Sequence, residues 1–187
     1  FSNFKDKLNG SIASELLTIF DDGTINGGLM SSNFDREGIP HQKTIIIDSG
    51  ILKSYLYNSY SANKDQTQST GNASGSYRSI PSISPTNLII ESGSSELSQI
   101  IANLSKGLLV TRFSGNVNPI SGEFSGVVKG GKYIENGSIK YPVKESLISG
   151  NIFDLLLGLN DISKERKQLF GFTLPYLHVN NVSITAG

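Results

Sequence analysis

The stretch from Gly107 to Asn151, GLLVTRFSGNVNPISGEFSGVVKGGKYIENGSIKYPVKESLISGN, narrows the possible folds of this chain more than any other feature. Apolar and β-branched residues come in short runs, each ended by Gly, Asn, Pro or Ser before a helix could establish itself. The order reads as strand, tight glycine-containing loop, strand, hairpin, strand and the start of a helix. Tyr133-Ile134-Glu135, Asn136-Gly137 and Ser138-Ile139-Lys140-Tyr141 make the clearest hairpin, because Asn-Gly supplies the positive-φ residues that a type I′ turn needs.

The same turn chemistry recurs upstream. Thr44-Ile45-Ile46-Ile47, the turn Asp48-Ser49-Gly50 and the run Ile51 to Leu56 read as a second hairpin. Its pattern, Ile47-Asp48-Ser49-Gly50-x-Leu52-Lys53, echoes Ile134-Glu135-Asn136-Gly137-x-Ile139-Lys140; a repeat, or unrelated hairpins obeying one turn rule, would both produce it. Leu16 to Phe20 reads as a short strand stopped by the turn signal Asp21-Asp22-Gly23. Leu177-His178-Val179 and Val182-Ser183-Ile184 read as a closing strand pair or one bent strand.

Helices are fewer. Ser95 to Lys106 sets Leu97, Ile100, Ile101 and Leu104 on one face, with Ser94 as cap and Gly107 as left-handed stop. A second helix is expected from Asn151 to about Leu159, weakened in its last turn by Gly158. The polar stretch from Ser61 to Pro85 reads as one long loop. The expected fold is α+β and β-dominated: antiparallel hairpins in a barrel-like or sandwich sheet with two flanking helices, one domain over residues 1–187.

Charge argues against nucleic acid as a partner. Sixteen basic and sixteen acidic residues cancel to a net charge of zero, without the basic excess that a phosphate backbone requires. Lys164, Arg166 and Lys167 are interrupted by Glu165 and read as a solvated loop or helix end. Apolar runs such as Leu155-Leu156-Leu157 fall far short of a membrane span, and no signal segment opens the chain. Phe1 stands where a Met would, so a fragment or cleaved product is expected. The chain has no Cys. That excludes disulfides, thiol nucleophiles and zinc-thiolate ligands from it, and it fits a cytoplasmic protein.

Catalytic chemistry finds few residues to work with. A catalytic zinc takes three protein ligands, often two His one helical turn apart. Here the two His, His41 and His178, are far apart; His41 reads as a surface residue and His178 as a structural one. No Gly-x-Ser-x-Gly elbow sits in a strand–turn–helix context. Gly126 to Lys132 is glycine-rich but lacks the Gly-Lys-Ser/Thr ending of a phosphate loop. Asp21-Asp22 reads as a turn, and Glu123 as a residue that fixes its loop by accepting backbone hydrogen bonds. Ser69-Thr70-Gly71-Asn72 stands out: short hydroxyl and amide side chains around a Gly suit a peptide-binding edge, and equally a capped turn.

Several blocks together resemble the C-terminal domain of the TldD/PmbA proteins. The residues are Leu17-Thr18-Ile19, Asp22-Gly23-Thr24, Ser32 to Gly38, Lys43-Thr44, Gly50 to Leu56, Ser69 to Ala73 and Pro85 to Leu88. Gly107 to Arg112, Val117 to Ser125, Ile134 to Gly137, Tyr141-Pro142-Val143 and Ile148 to Asn151 follow in the family's order. These are paired, peptide-processing metalloprotease subunits, once called modulators of DNA gyrase. The resemblance implies that an N-terminal domain belongs upstream.

In the TldD-like subunit a helix upstream of the segment like Leu17 to Thr24 carries a His-Glu-x-x-x-His zinc motif, and a Cys near the C-terminus adds a ligand. Neither has a counterpart in Phe1 to Glu15 or Asn160 to Gly187. Ser32 to Gly38 and Ala73 after Asn72 also look like the PmbA (TldE) side. The resemblance therefore implies a non-zinc subunit with no catalytic or metal residue of its own, zinc residing in a TldD-like partner. Scaffold, partner contacts and part of a peptide channel are its expected role, with unfolded peptide as substrate and the block Arg112 to Ser125 structural. A homodimer is a further expected state, since a sheet edge left bare by the absent domain favours self-association. Two rivals stand beside this reading: an active TldD-like metallopeptidase with its motif upstream, and a gyrase-associated regulator.

Overall fold

The computed structural model describes residues 3–185. Strands dominate, as the turn-punctuated sequence requires. A six-stranded sheet runs β13 (Leu159–Leu169), β14 (Phe172–Val179), β6 (Leu88–Ile90), β1 (Ile19–Asp22), β2 (Lys43–Asp48) and β3 (Ile51–Leu52). A three-stranded sheet has the order β11 (Ser138–Val143), β10 (Gly131–Glu135) and β7 (Lys106–Val110), and a four-stranded one β15 (Ser183–Thr185), β12 (Leu147–Asn151), β9 (Glu123–Val128) and β8 (Phe113–Val117). The remaining pair is β4 (Ala73–Ser74) with β5 (Ser82–Ile83). Among the described residues the named strands all pair antiparallel except β14 with β6, and an isolated parallel bridge joins Ser95 to Ser163. The sheets pack in sandwich fashion and none closes into a barrel. One core lies under the six-stranded sheet, where Ile12, Ala13, Leu17, Ile47, Leu52, Leu159 and Ile162 pack together.

Both expected hairpins form, the upstream one with a second arm of Ile51–Leu52 only instead of Ile51 to Leu56, and their echo extends to tertiary structure. Ser49 and Gly50 have φ of 49° and 78°, and Asn136 and Gly137 have 49° and 72°. Each turn docks on a preceding segment: Gly50 N–H donates to Leu17 O at 2.9 Å and Gly137 N–H to Leu104 O at 2.8 Å. A Cβ on Gly137 would lie 2.5 Å from Ala102 O. Glycine there serves close approach as well as its positive φ.

Helices are shorter and more numerous than the periodicity suggests. Among the described residues there are three: α1 (Ser59–Lys64), α2 (Leu97–Ala102) and α3 (Ile152–Leu157). The expected helix over Ser95 to Lys106 ends early because Ser105 O and Leu104 O accept from the β10–β11 turn and Lys106 enters β7, so Gly107 lies in a strand rather than at a helix stop. The cap is Glu96 rather than Ser94; Gln99 Oε1 accepts from Glu96 N–H at 2.9 Å, and the Glu165 carboxylate accepts from Leu97 N–H at 2.9 Å. Asn151 caps α3 by accepting from Phe153 N–H. The supposed loop from Ser61 to Pro85 holds most of α1 and the β4–β5 pair. Lys164 to Lys167 lie in β13 instead of a loop or helix end, where the register with β14 shifts between Ile162 and Arg166. The closing run forms two strands in different sheets, β14 against β13 and β15 against β12, joined across Asn181 at φ 64°.

A buried polar knot ties the Ser61–Pro85 segment down. Asp21, read from sequence as a turn residue, lies in β1 with 1% of its surface exposed. Its carboxylate accepts from Asn72 Nδ2 (2.7 Å), Thr86 N–H (2.7 Å) and Thr86 Oγ1 (3.0 Å). Asn72 Oδ1 accepts from Thr70 Oγ1 at 2.6 Å, and Asn72 Nδ2 also reaches Ser84 O at 3.1 Å. Asp35 works similarly, accepting from Ala73 N–H, Glu37 N–H and Ile39 N–H. Burial raises the Asp21 pKa above its ordinary 3.8, and the hydrogen bonds from Asn72 and Thr86 pull it part of the way back.

Asn72→Ala removes two donated bonds and one accepted bond in a buried site, so about 3 kcal/mol of stability should be lost, measurable by urea unfolding. The raised pKa sets the sign of a pH effect. The folded state holds the Asp21 proton more tightly, so this contribution is complete below pH 3.8 and is lost as pH rises through the folded pKa. The destabilisation caused by Asp21→Asn should therefore be larger at pH 4 than at pH 7; the opposite order in paired urea titrations would contradict that assignment.

Candidate functional site

A cavity of about 630 Å³ lies where the three larger sheets meet. The apolar face of α2, with Leu97, Ile100, Ile101 and Leu104, makes one wall. Consecutive residues of β7, Lys106 to Val110, and of β14 and its exit, Pro175 to Val182, border it. A strand facing a cavity with its side chains contributes alternate residues; contiguous lining means that the strand presents its edge. Ile134 of β10 and Ile148 of β12 close the floor, and Phe113 stacks edge-on against Phe124 with centroids 6.0 Å apart.

Chemically the lining is mostly apolar. Its lining holds no carboxylate, and Lys106, His178 and Tyr176 are its only titratable side chains. His178, read from sequence as structural, is half-buried in the cavity wall. His41 is half-buried too, packed against Gly23, where an added Cβ would lie 2.7 Å from its side chain. Among the described residues no three His, Asp or Glu side chains converge. With no Cys in the chain, the donor set of this domain does not fit a zinc ion by itself.

Ser69, Thr70, Gly71 and Asn72 lie apart from the cavity lining, and their polar groups are engaged inside the chain. Thr70 Oγ1 accepts from Tyr57 N–H at 2.7 Å, Ser69 Oγ accepts from Gly71 N–H at 3.2 Å, and Asn72 belongs to the Asp21 knot. Gly71, at φ 72°, comes so near Pro40 that a Cβ would sit 2.5 Å from its carbonyl oxygen. Glu123 is exposed, and its carboxylate accepts only from Ser121 Oγ, at 3.3 Å. The loop-fixing role expected of it belongs to Asn118, whose Oδ1 accepts from Ile120 N–H and Ser121 N–H, and to Asn151, whose Nδ2 donates to Ser121 O. The strand edges bordering the cavity escaped sequence reading; Pro175, inside an otherwise strand-like run, was the available signal.

Comparison with known proteins places this architecture. The family described as PmbA/TldA metallopeptidase C-terminal domain matches residues 1–186. A metalloprotease TldD homologue of Buchnera aphidicola subsp. Acyrthosiphon pisum is 33% identical over 188 residues, covering all of this chain and 39% of that protein. Metalloprotease PmbA of Escherichia coli O157:H7 is 36% identical over 151 residues, covering 80% of this chain and 31% of that protein. The crystal structure of TldE from Thermococcus kodakarensis superposes with a TM-score of 0.89 at 31% identity, over 99% of this chain and 43% of that one. The chain thus spans roughly a third to two fifths of the length of these relatives. Likeness of sequence and of fold agree over essentially its whole length, and the chain belongs to the TldD/PmbA family as a C-terminal domain.

Proposed function

We propose that this is the C-terminal domain of a PmbA/TldE-type subunit that holds no zinc itself and works beside a TldD-like zinc subunit. It supplies scaffold, partner contacts and one wall of the channel along which unfolded peptides reach the partner's metal. The observation that carries this reading is the cavity of about 630 Å³, apolar and bordered by strand edges, yet without a carboxylate in its lining. Such a surface holds a peptide by its main chain and apolar side chains and leaves bond cleavage to another centre. The donor set supports the same reading: two His, no Cys, and no convergent trio of His, Asp or Glu among the described residues. The close superposition on TldE agrees with it.

A second reading has one observation in its favour. The TldD homologue of Buchnera aphidicola aligns over this entire chain at 33% identity. On that reading the complete protein is an active zinc peptidase whose ligands lie in sequence outside this domain.

Zinc analysis of the full-length protein purified without a partner separates the two. The first reading expects no bound zinc, with peptide hydrolysis appearing only when a TldD-like subunit is added. Stoichiometric zinc, or hydrolysis by the protein alone, would establish the second. Leu177 lines the cavity and is 41% exposed in this domain, so Leu177→Asp should leave folding intact. Placing a carboxylate there should raise the apparent KM of the assembled pair for apolar peptides about tenfold, equivalent to about 1.4 kcal/mol, with kcat little changed.

A further inference from the structure

The chain holds three Asn-Gly pairs: Asn9-Gly10, Asn26-Gly27 and Asn136-Gly137. Such a pair is chemically labile. The main-chain nitrogen of the Gly, unhindered by a Cβ, can reach the side-chain amide carbon of the Asn before it.

Folding treats the three differently. Asn136 N–H donates to Ser105 O and Gly137 N–H to Leu104 O, each at 2.8 Å. Asn9 N–H donates to Leu52 O at 2.7 Å, Gly10 N–H to Lys7 O at 2.9 Å, and Gly10 O accepts from Leu52 N–H at 3.0 Å. In both pairs the attacking nitrogen is held as a donor and the Gly is half-buried. Asn26 and Gly27 are both exposed. Neither of their N–H groups, nor the Asn26 side chain, bonds to any described residue. They are the central residues of a turn closed by Gly28 N–H donating to Ile25 O at 3.0 Å. Gly27 has φ 73°, and nothing lies within 4 Å of the place its Cβ would take.

The base of this turn is fixed. Asp22 Oδ1 accepts from Thr24 N–H at 2.9 Å and from Thr24 Oγ1 at 2.6 Å. Asn87 Nδ2 donates to Asp22 O and Ser31 Oγ, and Asn87 Oδ1 accepts from Met30 N–H. The Asn26-Gly27 tip therefore projects from a firm footing, and its chemistry requires no unfolding.

We infer that Asn26 is a site of spontaneous deamidation, the Asn-Gly pair that the fold leaves reactive while it protects the other two. Base removes the Gly27 amide proton, and the nitrogen attacks Asn26 Cγ. A C–N bond forms there as the bond to the side-chain nitrogen breaks, and that nitrogen leaves as ammonia. Water opens the resulting cyclic imide at either carbonyl, giving aspartate or isoaspartate at position 26. The product adds a negative charge to a chain whose charges otherwise cancel. The charge arises beside the hollow that Ile25 and Gly28 share with Arg166. Isoaspartate also routes the main chain through the former side chain and lengthens the turn.

The test uses the full-length protein, incubated at mildly alkaline pH and sampled over days. Peptide mapping with electron-transfer fragmentation reads asparagine, aspartate and isoaspartate at each pair. Asn26 should convert at least about tenfold faster than Asn9 or Asn136, since a local opening that costs about 1.4 kcal/mol already withholds the reactive form tenfold. Its rate should fall at mildly acidic pH, because the attacking amide must lose its proton. In urea beyond the unfolding midpoint the three rates should converge. Asn26→Gln should abolish the acidic charge variant, and Asn26→Asp should leave the thermal unfolding curve unchanged.

Conversion of Asn9 or Asn136 in the folded protein as fast as Asn26 would overturn the inference. So would a preference for Asn26 that survives in urea, because the neighbouring side chains rather than the fold would then be its cause. An Asn26 that stays intact in the folded protein while the urea-treated chain converts would show the turn covered in the full-length molecule, and that result also counts against it.

Discussion

Asn72 Nδ2 lies 2.7 Å from the Asp21 carboxylate, both residues almost wholly buried, and the placement of the polar middle of the chain follows from that contact. A carboxylate inside a protein is tolerable only when donors surround it. Asn72 and Thr86 provide them from opposite ends of the segment that contains β4 and β5. Asp35 repeats the device one step away, binding Ala73 N–H and its own loop. A stretch with little apolar residue to bury is thus held by side chains that satisfy main chain, and its two-residue strands need no larger core.

The cavity depends on a different constraint, the interruption of β13. Ser163 is fully buried at the register shift, with its hydroxyl oxygen bonded to both Glu165 O and Tyr176 N–H. Glu165, two residues on, sends its carboxylate to Leu97 N–H at the start of α2. One irregular stretch of strand therefore seats the helix whose apolar face forms a cavity wall. At the other end of α2 the β10–β11 turn bonds to Leu104 O and Ser105 O. The helix is clamped at both termini by turns distant in sequence, which is why six residues suffice where isolated helices of that length would melt.

Much of the hairpin architecture was legible. Asn136-Gly137 and Ser49-Gly50 dictate their turns through backbone conformation, a local property that survives any packing. The α2 face was legible for the same reason, since side-chain spacing is local. Helix ends were not. Lys106 and Gly107 became strand because β10 offers them a ladder, and periodicity cannot register a competing hydrogen-bond partner. Asp21-Asp22 looked like a turn because Asp usually sits in one; its donors lie about fifty and sixty-five residues away. Ser69 to Asn72 stood out by residue type, and that type alone could not distinguish the internal bonds of Thr70 and Asn72 from an external binding edge.

Sequence by itself determined the hairpins, the β-dominated class, the absence of thiol chemistry and, through ordered motifs, the family. Each of these rests on residue identity or on relations between near neighbours. Tertiary structure decided the rest: that the sheets stack without closing, that Asp21 is buried against Asn72, and that β6 pairs with β14 only at Phe172 and Thr173. Those outcomes depend on which distant strand pairs with which edge, and only the folded chain contains that information.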